Sequence, residues 1–400
     1  MAHQRPRHLL SLVTKLLKFS PIIGVLGHRQ VGKTTLIAHI AKEYKTLDLQ
    51  HNRQSAALDP MSFLAALKQH PSAIDEVQHC PELFPALKEW VRTHKKPGQF
   101  ILSGSVRFTS KRAIRESLTG RIVNQELLPF SQSELDEREI NNTPLNLITQ
   151  DLSQYKPCLD SKTITKRHEH LMQYGKKGGL PGLCFIRDET VRANQIETNL
   201  QTILDRDLRL LYETNLRYAT MRLVLTHLAT IQGNPVNLAD ISRKTRVSVP
   251  TLRNLIQAFE NLFLIRQIPS LGGAKTHVVF MEDQGEAAFL NDQPYDTFST
   301  WLRVLYANVR VAFLLKPEWR PQFFQFRTRG GAYMPLGVKT DRGILGFSIS
   351  LEKNPSESTL KSSLSFIKKF PKSRVCIVTP FAHHEVINKS ILITSFAEVL

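Results

Sequence analysis

Eight residues, Gly27-His28-Arg29-Gln30-Val31-Gly32-Lys33-Thr34, satisfy the pattern G-x-x-x-x-G-K-[ST] at every position. They follow a continuous apolar run, Ile22-Ile23-Gly24-Val25-Leu26, and precede Leu36, Ile37, Ile40 and Ala41 at helical spacing. A loop of this kind needs a buried parallel strand before it and a helix after it, which commits the N-terminal part of the chain to an α/β sheet. Gly27 and Gly32 let the backbone approach a phosphate, and the amides of the turn and helix N-terminus point at it. Lys33 supplies a point charge for the β- and γ-phosphates, and Thr34 a hydroxyl for Mg²⁺. The expected ligand is a purine nucleoside triphosphate, ATP with Mg²⁺, held by Gly27 to Thr34 with Thr35 beside them.

Strands and helices alternate after the loop. A helix is expected over Thr35 to Tyr44, a strand at Thr46-Leu47-Asp48-Leu49, a helix at Met61 to Leu67, and a strand entered at Ala73-Ile74. A helix over Pro81 to His94 and strands at Phe100-Ile101-Leu102 and Ile122 to Leu127 complete a doubly wound parallel sheet. Asp75-Glu76 ends the third strand: Asp75 is a candidate Mg²⁺ ligand through water, and Glu76 a candidate general base. The alternative is an acidic pair that opens the next helix. Ser105 stands at the carboxyl edge, where it either senses the γ-phosphate or merely ends the strand. Arg121 reads first as an ordinary surface arginine in so basic a chain, and otherwise could neutralise phosphoryl charge from its own chain or a neighbour's.

The charge balance narrows the partners. Lys and Arg total 53 against 35 Asp and Glu, a formal net charge of +18, which favours a polyanion, nucleic acid such as double-stranded DNA first and an anionic membrane surface second. Four cysteines, Cys80, Cys158, Cys184 and Cys376, show no metal-ligand spacing and read as reduced thiols of a cytoplasmic protein. Met1 to Lys18 reads as an amphipathic helix rather than a signal peptide, because Lys15 and Lys18 interrupt its apolar run. No run of 18 apolar residues spans a membrane.

The loop together with Leu47-Asp48-Leu49, Ile74-Asp75-Glu76-Val77-Gln78, Pro81-Glu82-Leu83-Phe84, Phe100 to Ser105 and Gly120-Arg121-Ile122 resembles a large prokaryotic family of AAA-type ATPases with a C-terminal domain of unknown function. Leu127 to Ser131 with Glu134, Gly178-Gly179-Leu180-Pro181-Gly182 and Asp205-Arg206-Asp207-Leu208 continue the likeness. The resemblance implies ATP rather than GTP, and it makes Arg121 a candidate arginine contact. It also implies a winged-helix-like segment followed by a fold similar to PD-(D/E)xK nucleases. The expected organisation is an N-terminal helix (1–20), an ATPase domain (21–135), a linker and helical lid (136–217), a winged-helix-like domain (218–282) and a degenerate restriction-endonuclease-like α+β domain (283–400).

Two short helices read from Asn237 to Ile256, with Ile241, Val247, Leu252, Leu255 and Ile256 at helix-turn-helix spacing. Ser248, Thr251, Arg253 and Asn254 are then candidates for a DNA major groove, and Arg243, Lys244 and Arg246 for phosphate. A protein-interaction module is the alternative partner class, and an oligomer, formed in response to nucleotide, is a further expectation. A nuclease of the implied type needs an Asp and then Glu-x-Lys on adjacent strands. Ala332 to Val338 holds no Asp, and Ser348 and Ser350 stand where an acid and a lysine belong, with Glu352-Lys353 just beyond. The expectation is a nuclease-like fold without nuclease chemistry, attached to an ATPase or to a nucleotide-regulated binding switch.

Overall fold

A computed structural model describes residues 5–107, 120–273, 276–291 and 297–400. The amphipathic segment forms α1 (Leu9–Leu16), which buries Leu9 and Val13. β1 (Ile22–Leu26) is buried along its whole length, as its apolar run requires. Its alternation divides it between two cores, Ile23 and Val25 facing one and Ile22 and Leu26 the other. α2 (Lys33–Ile40) follows the phosphate loop directly.

Here the chain departs from expectation. The helix stops at Ile40, and β2 is Glu43–Thr46 rather than Thr46 to Leu49. β2 is an edge strand with one neighbour, so its polar residues need no apolar run to hold it. α3 (Gln50–Leu58), an element with little apolar periodicity, precedes α4 (Pro60–Ala66), whose N-cap Asp59 accepts from the Ser62 amide. β3 (Ser72–Asp75) is fully buried despite its polar lead-in; the Ser72 hydroxyl is satisfied by the Gln69 carbonyl at 2.8 Å. α5 (Leu83–Thr93), β4 (Phe100–Gly104) and β5 (Ile122–Glu126) complete a parallel sheet of order β2-β3-β4-β1-β5.

Beyond it run α6 (Gln132–Leu135), α7 (Thr143–Thr149) and α8 (Ser161–Lys177). α7 lies inside the stretch read as a linker, yet Leu145, Leu147 and Ile148 are buried in the core of the C-terminal sheet. α9 (Glu189–Thr202) continues through a π-helical turn, Ile203–Asp207, into α10 (Leu208–Leu211). α11 (Tyr218–Thr230), α12 (Leu238–Thr245) and α13 (Val249–Asn261) lead to a hairpin of β6 (Ile265–Leu271) and β7 (Thr276–Met281).

That hairpin is not free-standing. Ser270 and Leu271 pair in parallel with Gln325 and Phe326 of β8 (Gln322–Arg327), which joins the hairpin to one eight-stranded mixed sheet. α14 (Gln284–Leu290) and α15 (Phe298–Leu314) intervene, and β9 (Tyr333–Thr340), β10 (Gly343–Ile349), α16 (Glu357–Lys369), β11 (Arg374–Thr379), β12 (Glu385–Asn388), β13 (Ile391–Ser395) and α17 (Phe396–Val399) follow. Its order is β12-β13-β11-β10-β9-β8-β6-β7. Trp301, Leu305 and Val309 of α15 pack on one face and Phe366 of α16 on the other. Ile23, Val25, Ile37 and Ile101 share one buried cluster with Leu200, Leu204, Leu225, Leu255 and Met281, so the parallel sheet and the helices of α9 to α13 have a common core. Among the described residues no helix is long and apolar enough to cross a membrane.

Candidate active site

The parallel strands bring their carboxyl ends to one edge, and that edge gathers the predicted residues. Gly27 turns sharply beneath Leu127: a Cβ on it would collide with the Leu127 carbonyl. Gly32 sits at φ +95°, a conformation that side chains resist, and Lys33 then opens α2. The Lys33 ammonium is buried and donates to the carbonyls of Gly27 (3.1 Å) and His28 (2.9 Å). Burial lowers its pKa, against the pull of Glu76 and Asp75. Thr34 and Thr35 are exposed on the first turn of α2.

Asp75 is the hub. Its Oδ2 accepts from the Thr34 hydroxyl at 2.7 Å and from the Tyr44 hydroxyl at 2.8 Å. Its Oδ1 accepts from the Glu76 amide at 3.0 Å and from the Ser103 hydroxyl. Four donors hold this carboxylate in place, and Thr34 keeps its lone pairs while donating its proton. A hydroxyl and a carboxylate, both hard oxygen donors, suit Mg²⁺. Bound there with ATP, the ion would screen the β- and γ-phosphate oxygens.

Glu76 adopts φ +53°, and its side chain accepts from the Gln78 amide, which also donates to Ser105 Oγ at 3.2 Å. The candidate base and the candidate sensor are therefore joined by one glutamine. Arg121 is placed differently. β1 and β5 are parallel with Ile22 opposite Ile122, so Arg121 stands at the amino edge of the sheet, a strand's length from the loop.

Four neighbouring loop residues are engaged from outside the sheet, three of them through their side chains. His28 is buried, its Nε2 3.2 Å from Oε2 of buried Glu286 on α14, and its Nδ1 donates to the Arg29 carbonyl at 2.6 Å. Arg29 pairs with Asp207 of the π-helical turn at 3.3 Å. Gln30 and Asn199 of α9 exchange amide hydrogen bonds of 2.7 and 2.6 Å. The Val31 carbonyl accepts from Arg7 at 3.4 Å. Gly178 to Gly182 lies against the loop: Asp283 accepts from the amides of Gly179 (2.8 Å) and Leu180 (3.1 Å), which seats Pro181 beside Gly32.

Burial disfavours a charged His28, but Glu286 outweighs it and raises the pKa above the usual 6.5. Burial and then Glu286 push Asp283 up to about 6. The native state therefore holds both protons more tightly than the unfolded chain does. For His28 that stabilisation is complete below pH 6.5 and is lost as pH rises through its raised value. His28→Gln, by breaking a buried pair, should cost roughly 3–5 kcal/mol near pH 6 and less at pH 8.5. Chemical denaturation of both proteins from pH 5.5 to 8.5 checks this; parallel curves refute it.

α12 and α13 are capped by the side chains of Asn237 and Ser248. The Ser248 hydroxyl receives the Thr251 amide (3.3 Å) and contacts Thr251 Oγ1 (2.8 Å), so both hydroxyls are spent locally. Arg243 (2.7 Å) and Lys244 (2.9 Å) share Asp240, which offsets part of their charge. Arg246, Arg253 and Asn254 are exposed. The carboxyl end of α13 is gripped by Arg107, whose amide donates to Asn261 O (3.0 Å) and whose side chain donates to Glu260 O (3.1 Å) and lies over Phe263. In the C-terminal sheet β9 carries no carboxylate, Ser348 and Ser350 are buried, and Glu352 and Lys353 lie exposed past β10.

Tyr44, Asn199 and Glu286 were missed in the sequence, while Gln78 and Ser103 stood in segments that the resemblance marked, without the contacts they make here. Asp207 lies in a segment that the family resemblance had marked, but its contact with Arg29 spans 178 residues and leaves no local signal.

Residues 19–136 match the sequence model of an AAA domain, and residues 168–279 that of a domain of unknown function, DUF8612. Uncharacterised proteins of Mycobacterium tuberculosis and Mycobacterium bovis are each 24% identical over 412 aligned positions, covering 98% of this chain and 84% of theirs. Among solved structures, a Walker-type ATPase of Pyrococcus abyssi aligns over 72% of this chain and 96% of its own, at 15% identity and a TM-score of 0.41.

Proposed function

We propose that the chain, whose residues 19–136 match an AAA domain, binds ATP with Mg²⁺ and hydrolyses it, and that a C-terminal module reads the nucleotide state. The observation that carries this reading is the 2.7 Å contact between Thr34 and Asp75, which sets the loop's hydroxyl and the acidic strand on one ion position. Lys33 exchanges its two carbonyl partners for β- and γ-phosphate oxygens. Glu76, aimed by Gln78, accepts a proton from water as its oxygen attacks the γ-phosphorus in line; the bond to the β–γ bridging oxygen breaks and ADP leaves. Ser105, tied to Glu76 through Gln78, meets the γ-phosphate. Arg121, at the opposite edge, suits a contact with a neighbouring subunit's nucleotide, in an assembly formed on ATP.

For the module, α11 to α13 with the β6–β7 hairpin support a winged-helix reading, with double-stranded DNA as the partner met by Arg246, Arg253, Asn254, Arg243 and Lys244. Ser248 and Thr251 serve the helix cap on this reading. A second reading, a switch that turns over slowly and binds protein, is favoured by the shared use of Asp240 and by the hairpin's place inside the large sheet. The remainder, on either reading, is a nuclease-like sheet without nuclease carboxylates.

One experiment separates these. ATP turnover is measured with duplex DNA titrated in, for the wild type, Lys33→Ala and Arg243→Glu/Lys244→Glu, with mass measured with and without ATP. Lys33→Ala should abolish binding and turnover. A DNA-coupled enzyme is stimulated by DNA, and the double charge reversal removes the stimulation and flattens its salt dependence. DNA-independent slow turnover selects the switch, and no turnover at any DNA concentration sinks the ATPase assignment.

A further inference from the structure

The phosphate loop does not hold its shape alone. Gln30 has φ +62°, a left-handed conformation that side chains other than glycine's adopt only when their surroundings impose it. The loop's own turn asks for it, since the Val31 amide donates to the His28 carbonyl at 3.3 Å across Gln30; Asn199 then holds the side chain, each amide giving one N–H and taking one, without using any residue of the parallel sheet. One position before it Arg29 is turned toward Asp207, and one position before that His28 is buried against Glu286. These three partners come from two helical runs outside the sheet, α9 with its π-helical continuation and α14. The matching side chains are consecutive residues of one loop.

We propose that Asn199, Asp207 and Glu286 are positioning residues for the phosphate loop, so that the helices beyond the parallel sheet set the affinity of Gly27–Thr34 for a nucleoside triphosphate. This rests on the reading of the loop as a triphosphate site. The amides that would meet phosphate belong to the residues whose side chains are held, so a shift of α9 or α14 re-aims them. Leu200 and Leu204, on α9 and the turn after it, pack in the same core as Leu255 of α13, which gives any event at α13 a packed path to the loop.

Gln30 is exposed, so its substitution tests the loop without opening the core. Binding of a fluorescent ATP analogue with Mg²⁺ to the full chain is titrated well below each variant's thermal midpoint. Gln30→Ala and Asn199→Ala should each weaken binding roughly three- to tenfold, the scale of a lost hydrogen bond. The double variant should be no weaker than the poorer single variant, because both remove one interaction. Gln30→Gly should bind more tightly than Gln30→Ala, since glycine takes φ +62° unaided. A merely structural role lowers the thermal midpoint but does not produce this rescue. Should Asn199→Ala fail to fold, Asn199→Asp, which keeps an acceptor for Gln30 Nε2, should fall between wild type and Gln30→Ala. Additive losses, or unchanged affinity in a wild type that binds and loses binding on Lys33→Ala, overturn the inference. A folded wild type that binds no analogue overturns the triphosphate reading itself.

Discussion

On the proposed reading, Glu76→Gln should leave ATP binding intact and lower turnover by roughly 10²- to 10⁴-fold, the range for a lost general base. The replacement amide keeps an oxygen that can accept from Gln78, and the Glu76 backbone amide keeps its bond to Asp75, so the site stays assembled. Asp75, Thr34 and Lys33 are untouched, and the contacts expected for the phosphates and Mg²⁺ persist. What disappears is a group able to take a proton from water. Analogue affinity and single-turnover phosphate release check the two halves separately. Normal turnover would move the base elsewhere; lost binding would mean that Glu76 is structural.

The second large effect concerns stability. At the carboxyl end of β5, Glu126 accepts from Arg310 at 2.6 Å and from Arg266, with Arg107 at 3.5 Å. Glu282 accepts from Arg266 at 3.1 Å and from Arg310. Three guanidinium groups and two carboxylates thus meet where the two sheets adjoin. Burial opposes the charge on Glu126, but the arginines hold its carboxyl well below the usual range. Glu126→Gln leaves three arginines facing one carboxylate and should cost about 3–5 kcal/mol, as for other broken buried pairs. Arg222→Ala, which breaks a half-exposed pair with Glu197 (2.9 Å), serves as the control at under about 1 kcal/mol. The sign in pH is opposite to that of His28: the contribution of Glu126 is full above pH 4.5 and is lost as pH falls through its depressed value. Denaturant midpoints at pH 7 decide it; equal losses in both variants would show the cluster to be no more than surface charge.

Where the sequence was legible, local pattern was strong. The loop, β1, β4 and α5 follow from apolar period and glycine placement, and Asp75 from its place after Ala73-Ile74. The end of α2 was not legible because Glu43 to Thr46 can continue a helix as easily as it can form an edge strand; only pairing with Ser72 to Asp75 decides. The donors that fix Asp75 were hidden for a related reason. Tyr44 and Ser103 reach it from the strands on either side, and lateral register has no fixed sequence spacing. The same holds for Glu126, whose arginine partners lie 140 and 184 residues away. The division at 282 and 283 followed a change in helical texture, while the link between β6 and β8 is made by two residue pairs that no composition shift announces.

The strand tip that carries Ser105 also carries Arg107, and Arg107 holds the last carbonyls of α13. Two residues of chain span at most about 7 Å, even when fully extended. If Ser105 registers the terminal phosphate, the news has almost no distance to travel: loss of that phosphate and release of a helix end become one local event, with no relay through the core and no large domain swing. A protein wired this way can report hydrolysis as quickly as a strand tip can relax.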